Sequence, residues 1–281
     1  MTTLVFLAVL FAALCHAGWN GLVKTGLDPL ATTTLITLGS AAVALPMLPF
    51  AGLPEAAAWP WLVASAGIHL FYFAGLIESY RAGDLGQVYP IARGTAPLLT
   101  ASTATVALGE RLGFLGWAGI VLLASGVLLL SFRGGRDLSR FDRRAVGFAL
   151  FTALTVCAYS VVDGIGVRLS GNPAAYVFWL FIGFAFVLPP YARWREGAGL
   201  FKPMLHVWRR GVLGGGMQVL SYGIALWAMT LAPIGIVAAL RETSVLFGAV
   251  IAVVLLNEPL RVLRILAAML IVGGLVLIRL Q

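Results

Sequence analysis

Charged side chains interrupt several of the apolar segments of this 281-residue sequence. Arg93 and Arg241 each lie well inside such a segment, and Glu78, Asp163 and Glu242 are the carboxylates that could pair with them. An ionisable residue at that depth in a bilayer is costly, so it must face protein or water and is a functional candidate by default. Neighbouring helical residues point about 100° apart, so we expect Glu242 to reach a helix other than its own. Structural ion pairs between helices remain the alternative at Glu78 and Asp163.

Polar and aromatic residues form a second group of candidates. His16, Trp19 and Asn20 follow the i, i+3, i+4 spacing that puts them on one face of the first apolar segment. They either line a cavity or make a helix–helix hydrogen bond that fixes packing. Each of the remaining candidates is also compatible with packing or with an interfacial anchor: Tyr72, Tyr80, Tyr89, Tyr159, Trp179, Gln218 and Tyr222.

The elements that position these residues are predicted to be membrane spans. Hydrophobic residues make up 60% of the chain and charged residues 11%, against about 25% charged in soluble domains. A helix that crosses the bilayer needs about 20 apolar residues. This predicts an all-α membrane protein with ten transmembrane helices: Thr3–Val23, Leu30–Phe50, Trp59–Tyr80, Gly86–Leu108, Gly113–Phe132, Ala145–Arg168, Ala174–Tyr191, Gly211–Leu231, Pro233–Leu256 and Val262–Leu280.

The chain contains an internal repeat. Residues 80–132 align without gaps on residues 228–280, so that Arg93 falls on Arg241, and Thr95, Glu110 and Gly126 fall on Thr243, Glu258 and Gly274. We therefore predict a first five-helix repeat over 1–132, a basic connecting loop over 133–144 and a second repeat over 145–281. Because each repeat has an odd number of helices, the second must be inverted relative to the first. Inverted repeats are typical of secondary transporters, whose site lies near the midplane between the halves.

Charge gives the chain an orientation. The connections after the first, third, fifth, seventh and ninth predicted spans hold 14 of the 19 Lys and Arg residues, and the other connections hold three. The positive-inside rule puts the first set in the cytoplasm and both termini outside. We assign the net charge of +8 to membrane anchoring rather than to nucleic acid, because no nucleic-acid-binding motif is present.

Several kinds of chemistry find no support in the motifs. The sequence has no P-loop pattern and no zinc-ligand spacing, so we predict no enzyme activity, no metal and no cofactor. Glu110 and Glu258 end two spans and are predicted to be structural anchors. Glycines in the fifth, eighth and tenth spans predict close helix packing, including a candidate homodimer face: Gly116, Gly119, Gly126, Gly211, Gly215, Gly273 and Gly274.

Five segments carry a resemblance to a known family. They are HAGWNGLVK from His16, YRAGDLGQVYPIARGTAPLL from Tyr80, LGERL from Leu108, and the second-half copies RETSVLFG from Arg241 and LNEPL from Leu256. In these segments and in its five-plus-five organisation the chain resembles the EamA-type ten-helix carriers of the drug/metabolite transporter superfamily. The resemblance implies a helical basket around a central cavity lined by His16, Trp19, Asn20, Tyr89, Arg93 and Arg241. It also implies cytoplasmic termini, opposite to the charge-based orientation.

These observations predict a multi-pass inner-membrane carrier that moves a small organic metabolite by alternating access. The resemblance implies secondary transport, often export driven by protons or by exchange. Glu78, Asp163, Glu242 and His16 are the groups that could titrate in a proton-coupled version. The alternatives are a non-transporting sensor or assembly component, and a flippase for a lipid-linked intermediate.

Overall fold

The computed structural model describes residues 1–22, 27–82, 85–131, 143–256 and 262–281. Every regular element within those ranges is helical. The elements are α1 (Thr3–Leu22), α2 (Pro29–Ala44), α3 (Leu48–Ala51), α4 (Trp59–Ala82), α5 (Leu85–Leu108), α6 (Phe114–Ser131), α7 (Arg143–Arg168), α8 (Pro173–Glu196), α9 (Phe201–His206), α10 (Trp208–Met229), α11 (Ile234–Arg241), α12 (Ser244–Leu256) and α13 (Val262–Leu280).

The helices coincide with the predicted spans to within a few residues. Local signals set several of their starts: Asp28 accepts a hydrogen bond from the Leu30 amide ahead of Pro29, and Asn172 caps α8 ahead of Pro173. In the described ranges, eight segments are long and apolar enough to cross a bilayer: Thr3–Asn20, Pro29–Ala51, Ala56–Leu76, Arg144–Arg168, Pro173–Glu196, Trp208–Met229, Ile234–Ile251 and Val262–Leu280.

Glycines bring two pairs of helices into close contact. A Cβ built on Gly119 of α6 would lie 2.8 Å from the carbonyl oxygen of Gly274 on α13, and one on Gly126 would lie 2.8 Å from that of Ala267. Gly211 and Gly215 of α10 meet the backbone of α2 in the same way. Small residues permit such approaches. These glycines therefore pack helices within the chain, as predicted, and a homodimer face remains a prediction.

Two pairs of helices run antiparallel through the molecule. On α6 and α13, contacts at lower residue numbers on one helix meet higher numbers on the other, from Gly116 with Gln281 to Gly126 with Ala267. On α5 and α11, Gly235 faces Ala101 whereas Glu242, just after α11, reaches Arg93. The chain ends lie together, because the Arg279 guanidinium donates to the Met1 carbonyl and the Thr3 hydroxyl.

Polar contacts join the helix ends on one side of the bundle. Arg168 pairs with Glu110 at 2.7 Å and donates to the Met229 and Ala232 carbonyls, and the same Glu110 oxygen accepts from the Ile234 amide. Glu110 is thus a structural anchor that joins three helix ends. On the same side Trp179 donates to the Gly52 carbonyl. Glu258 and the segment 133–142 lie outside the described residues.

Candidate functional site

An interruption in the second-last span positions Arg241. The helical segment stops at Arg241, continues through Glu242 and Thr243 as a turn and resumes at Ser244. The Glu242 and Thr243 amides bond three residues back, and the Thr243 hydroxyl also bonds the Leu240 carbonyl. Short polar side chains compete with the regular helical pattern in this way. The interruption lies about 12 Å along the span from Ile234, deep enough to reach the middle of a bilayer.

The Arg93 side chain connects α5 to the interrupted span. Its Nε lies 2.8 Å from Oε2 of Glu242, and both side chains are almost completely buried. One terminal nitrogen lies 3.2 Å from Nε2 of His16 and 3.3 Å from the Ser244 hydroxyl, to which it donates. The expectation that Glu242 reaches another helix is therefore confirmed. The ion pair joins the two sequence repeats: Arg93 belongs to the first repeat, and Glu242, which follows Arg241 in the chain, belongs to the second.

The polar face of α1 adjoins this pair. His16 packs edge-on against Trp19, with ring centres 5.2 Å apart, while its Nε2 faces Arg93. The Trp19 indole nitrogen is buried and has no hydrogen-bond partner among the described residues. Asn20 donates to the His16 carbonyl on its own helix. The predicted face is thus assembled, with His16 as its direct link to Arg93.

Arg241 has different surroundings. Its guanidinium carbon lies 4.7 Å from the ring centre of Tyr222, a cation–π contact. The Tyr222 hydroxyl donates to Oδ2 of Asp163, and the Tyr176 hydroxyl donates to Oδ1 at 2.9 Å. Arg241 acts electrostatically on Asp163 and on His16, but it forms no ion pair with any carboxylate in the described part of the chain.

Aromatic rings extend the cluster from Tyr222 into α4 and α7. His69 stacks on Tyr159 at 4.2 Å, and Tyr72 packs edge-on against both rings. Tyr159 in turn meets Tyr222 edge-on at 6.2 Å. The His69 Nδ1 interacts with the Ser65 hydroxyl and carbonyl on its own helix. The result is a buried cluster of aromatic rings with polar edges next to Arg241.

Three sequence candidates do not join the cluster. Glu78 pairs with Arg195 of α8 near the ends of both helices, which is the structural ion pair left as the alternative for this residue. Gln218 accepts from the Ser40 hydroxyl at 2.9 Å and belongs to the contact between α2 and α10. Trp179 packs on Trp59 near the chain segment that follows α3. The side chains of Tyr80 and Tyr89 lie outside the described residues.

Three residues of the cluster were missed from the sequence. His69 satisfied the rule that selected Arg93, an ionisable group within a span, and should have been chosen on that ground. Tyr176 and Ser244 carried no such signal, because a tyrosine or serine in a span is common and only the folded chain brings them to Asp163 and Arg93. Among the described residues no group of three His, Cys, Asp or Glu side chains could hold a metal ion.

Comparisons with known proteins give a family and a fold. The model of the EamA-like transporter family matches residues 3–132 and again residues 143–280. A protein of known crystal structure aligns with 99% of this chain and 96% of its own, at 18% identity and a TM-score of 0.78. At that identity the likeness concerns the fold alone. No curated protein sequence gives a significant match.

Proposed function

The chain belongs to the EamA-like transporter family, and we propose that it is a secondary active transporter that moves a small organic metabolite across the inner membrane by alternating access. The family match and the apolar helices make it a multi-pass membrane protein. Export, coupled to protons or to exchange, is the direction that we propose. The observation that carries the proposal is the buried Arg93–Glu242 pair, formed between the two repeats in the middle of spans.

Ten membrane crossings are part of this proposal. Eight segments meet the length and apolarity expected of a span. We add α5 and α6, whose 24 and 18 residues extend over about 36 and 27 Å at 1.5 Å per residue. Both helices pack against segments that are already counted, α5 against α7 and α6 against α13. An even number of crossings also agrees with the contact between the two chain ends.

An inverted relation between the halves is also proposed, and the contact between α6 and α13 supports it. In the sequence repeat Gly119 corresponds to Ala267 and Gly126 to Gly274. Gly119 approaches Gly274, and Gly126 approaches Ala267. Exchanging the two repeats turns one contact into the other, as a two-fold axis would require. Because the two helices are antiparallel, that axis would lie in the membrane plane.

The arrangement of the other helices is compatible with the same exchange. The packing of α4 of the first repeat on α7 of the second corresponds to the packing of α10 of the second repeat on α1 of the first. The packing of α5 on α7 likewise corresponds to that of α11 and α12 on α1. Alternating access then requires the halves to rock about the site between them, where the Arg93–Glu242 contact joins them.

The proton-coupled version needs a titratable group in the cluster. Glu242 and His16 meet this condition because they contact Arg93, and Asp163 meets it because it accepts from Tyr222, the residue whose ring contacts Arg241. Glu78 does not, because it pairs with Arg195 near the helix ends. Collapsing the pH gradient with an ionophore should abolish uptake in this version. Unchanged transport would leave exchange as the coupling.

Flux in proteoliposomes tests the proposal. Vesicles with purified protein are loaded with a pool of metabolites, and the compounds that leave are identified by mass spectrometry. Arg93→Ala and Arg241→Ala should each abolish flux while the protein remains in the membrane. Arg111→Gln is a matched control, because Arg111 is exposed and lies between α5 and α6. Wild-type flux in both site variants, or no flux of any compound, would contradict the proposal.

A flippase would need a lateral opening to the site. The described helices do form an apolar groove of about 600 Å³ between α2, α8 and α10, lined by Val43, Val177, Leu220 and Trp227 among others. Leu220 and Trp227 lie on one face of α10, and Tyr222 projects from another. The groove is therefore no route to the Tyr222 side of that helix, and this observation does not favour a flippase.

A further inference from the structure

Given the proposed carrier function, on which this inference rests, we propose that the transported compound carries an anionic group, a carboxylate or a phosphate, and that Arg241 binds it. Arg241 ends α11 at the interruption of its span and has only 9% of its surface exposed. Its one contact of a charged or aromatic kind among the described residues is the Tyr222 ring. A buried guanidinium in that state is a ready site for an anion.

The two buried arginines divide between structure and binding. The Arg93 charge is balanced by Glu242 at 2.8 Å, and further contacts go to His16 and Ser244. An incoming anion would have to displace a buried carboxylate there, leaving that carboxylate without its partner. Arg241 acts electrostatically on Glu242 and Asp163 but forms no ion pair with a carboxylate in the described part of the chain. An anion therefore gains more at Arg241 than at Arg93.

The contact with Tyr222 leaves the donors of Arg241 available. A cation–π contact takes up none of the guanidinium N–H groups in a hydrogen bond to oxygen or nitrogen. Two parallel N–H groups match the two oxygens of a carboxylate or a phosphate. The contact with the ring restricts the Arg241 side chain, so part of the ordering cost is met before the ligand arrives.

Asp163 is the nearest candidate to neutralise Arg241 from within the chain, but it is engaged elsewhere. Each of its oxygens accepts a hydrogen bond from a tyrosine hydroxyl, Tyr176 on one side and Tyr222 on the other. Asp163 is fully buried and forms no ion pair with Arg241. The two tyrosine hydroxyls thus engage both oxygens of the carboxylate, and Asp163 bonds to them rather than to the Arg241 guanidinium.

The neighbouring side chains suit an anion attached to a flat or apolar body. The rings of His69, Tyr159 and Tyr222 pack on one another in a buried aromatic cluster next to Arg241. The buried Trp19 indole N–H, near His16, is a second donor that lacks an acceptor in the described part of the chain. Unpaired buried donors are costly, so a ligand that brings acceptors stabilises the folded protein.

Thermal unfolding of the detergent-purified full chain tests the inference with four probes. Phenylacetate and phenylphosphonate carry the anion, phenylacetamide is the neutral analogue, and phenethylamine is the cation. At constant ionic strength the two anions should raise the melting temperature more than the other two probes. If the two anions differ, the one that raises the melting temperature more identifies which anionic group the site prefers. Arg241→Gln should weaken the apparent affinity for the anions about tenfold or more, the loss expected from a charge-assisted hydrogen bond.

Two further variants keep the test decisive. Arg241→Lys preserves the charge but removes the two parallel N–H groups of the guanidinium, so the anions should raise its melting temperature by an intermediate amount. The matched control Arg111→Gln should respond as the wild type does. The inference is overturned if the anions stabilise no more than phenylacetamide, or if Arg241→Gln keeps the full anion response. If the Arg241→Gln protein still transports a neutral or cationic compound, the anion inference is overturned while the proposed carrier function stands. If the protein binds the anions but transports none of them, the carrier function is contradicted while the anion site stands.

Discussion

Arg93 and Arg241 hold matching positions in the two sequence repeats, but the helices around them differ in continuity. The helix α5 runs without a break through Arg93, although Pro90 and Pro97 bracket it. The matching span breaks at Glu242 and Thr243, where no proline is present. Proline inside a helix permits a kink, yet the helix is interrupted at the second copy, where short polar residues follow Arg241.

The substitutions beside the two arginines account for the difference. The residues that correspond to Gly94 and Ala96 in the second repeat are Glu242 and Ser244. Both of these reach across to Arg93, whereas the glycine and alanine offer Arg241 nothing in return. The two arginines at matching positions thus differ: Arg93 forms a structural ion pair, and Arg241 forms none with a described carboxylate. The predictions below test this division.

The largest effect is expected from Glu242→Gln. The change leaves the Arg93 charge buried without its carboxylate, which should lower the free energy of unfolding by about 3–5 kcal/mol. Denaturation in detergent measures the loss, and Arg93→Gln combined with Glu242→Gln should recover part of it. Glu55→Gln, at an exposed carboxylate, is the control and should change the stability by less than about 0.5 kcal/mol. A Glu242→Gln protein as stable as the wild type would show that the ion pair does not hold the halves together.

A smaller loss is expected at the other arginine from Tyr222→Phe. The phenyl ring still supports Arg241, but Asp163 loses a hydroxyl donor, at a cost of about 1.5–3 kcal/mol. Tyr222→Leu also removes the ring and should lose about 0.5–2 kcal/mol more. Tyr176→Phe is the matched control, because it removes the other hydroxyl from Asp163 without touching Arg241. Equal stability of the Phe and Leu variants would argue against a contribution from the cation–π contact.

Gly94→Ala tests why the first repeat has no side chain where the second has Glu242. A Cβ on Gly94 would lie 2.6 Å from Cγ of Leu128 and 3.2 Å from the Ala124 carbonyl oxygen. We expect a loss of about 1 kcal/mol from overpacking of α5 against α6. Gly248→Ala, where a Cβ would meet no atom within 4 Å, should be neutral or stabilising. The opposite order of melting temperatures would mean that packing does not explain the glycine.

The helices were predictable because their signals are local. Apolar length, together with breakers such as Pro29 and Pro173, located the span boundaries to within a few residues. The connection of Glu242 to another helix was also predictable, since neighbouring residues on a helix point in different directions. The same reasoning selected His16, Arg93, Asp163 and Arg241, all of which the fold brings into one cluster.

The partners within the cluster were not predictable, because they depend on which helices meet. Glu78 and Asp163 looked alike in sequence as carboxylates within spans, yet one pairs with Arg195 near the helix ends and the other is held by tyrosines. The interruption after Arg241 was also missed. The Thr243 hydroxyl bonds the Leu240 carbonyl at the interruption, but the corresponding Thr95 leaves α5 continuous, so the threonine alone does not signal a break.

The smallest effect is expected from Ser244→Ala, which compares the contribution of the Ser244 hydroxyl to binding Arg93 with that of the Glu242 carboxylate. The serine hydroxyl accepts from the guanidinium at 3.3 Å, a long contact, so its loss should cost only about 0.5 kcal/mol. Ala is also the residue that the first repeat carries at the matching position, Ala96, so the variant makes the two copies more alike. If its stability falls as far as that of Glu242→Gln, the neutral contact and the ion pair are equally important. In that case the charge of Glu242 would not be what separates Arg93 from Arg241, and the argument that Arg241 alone is left for an anionic ligand would lose its basis.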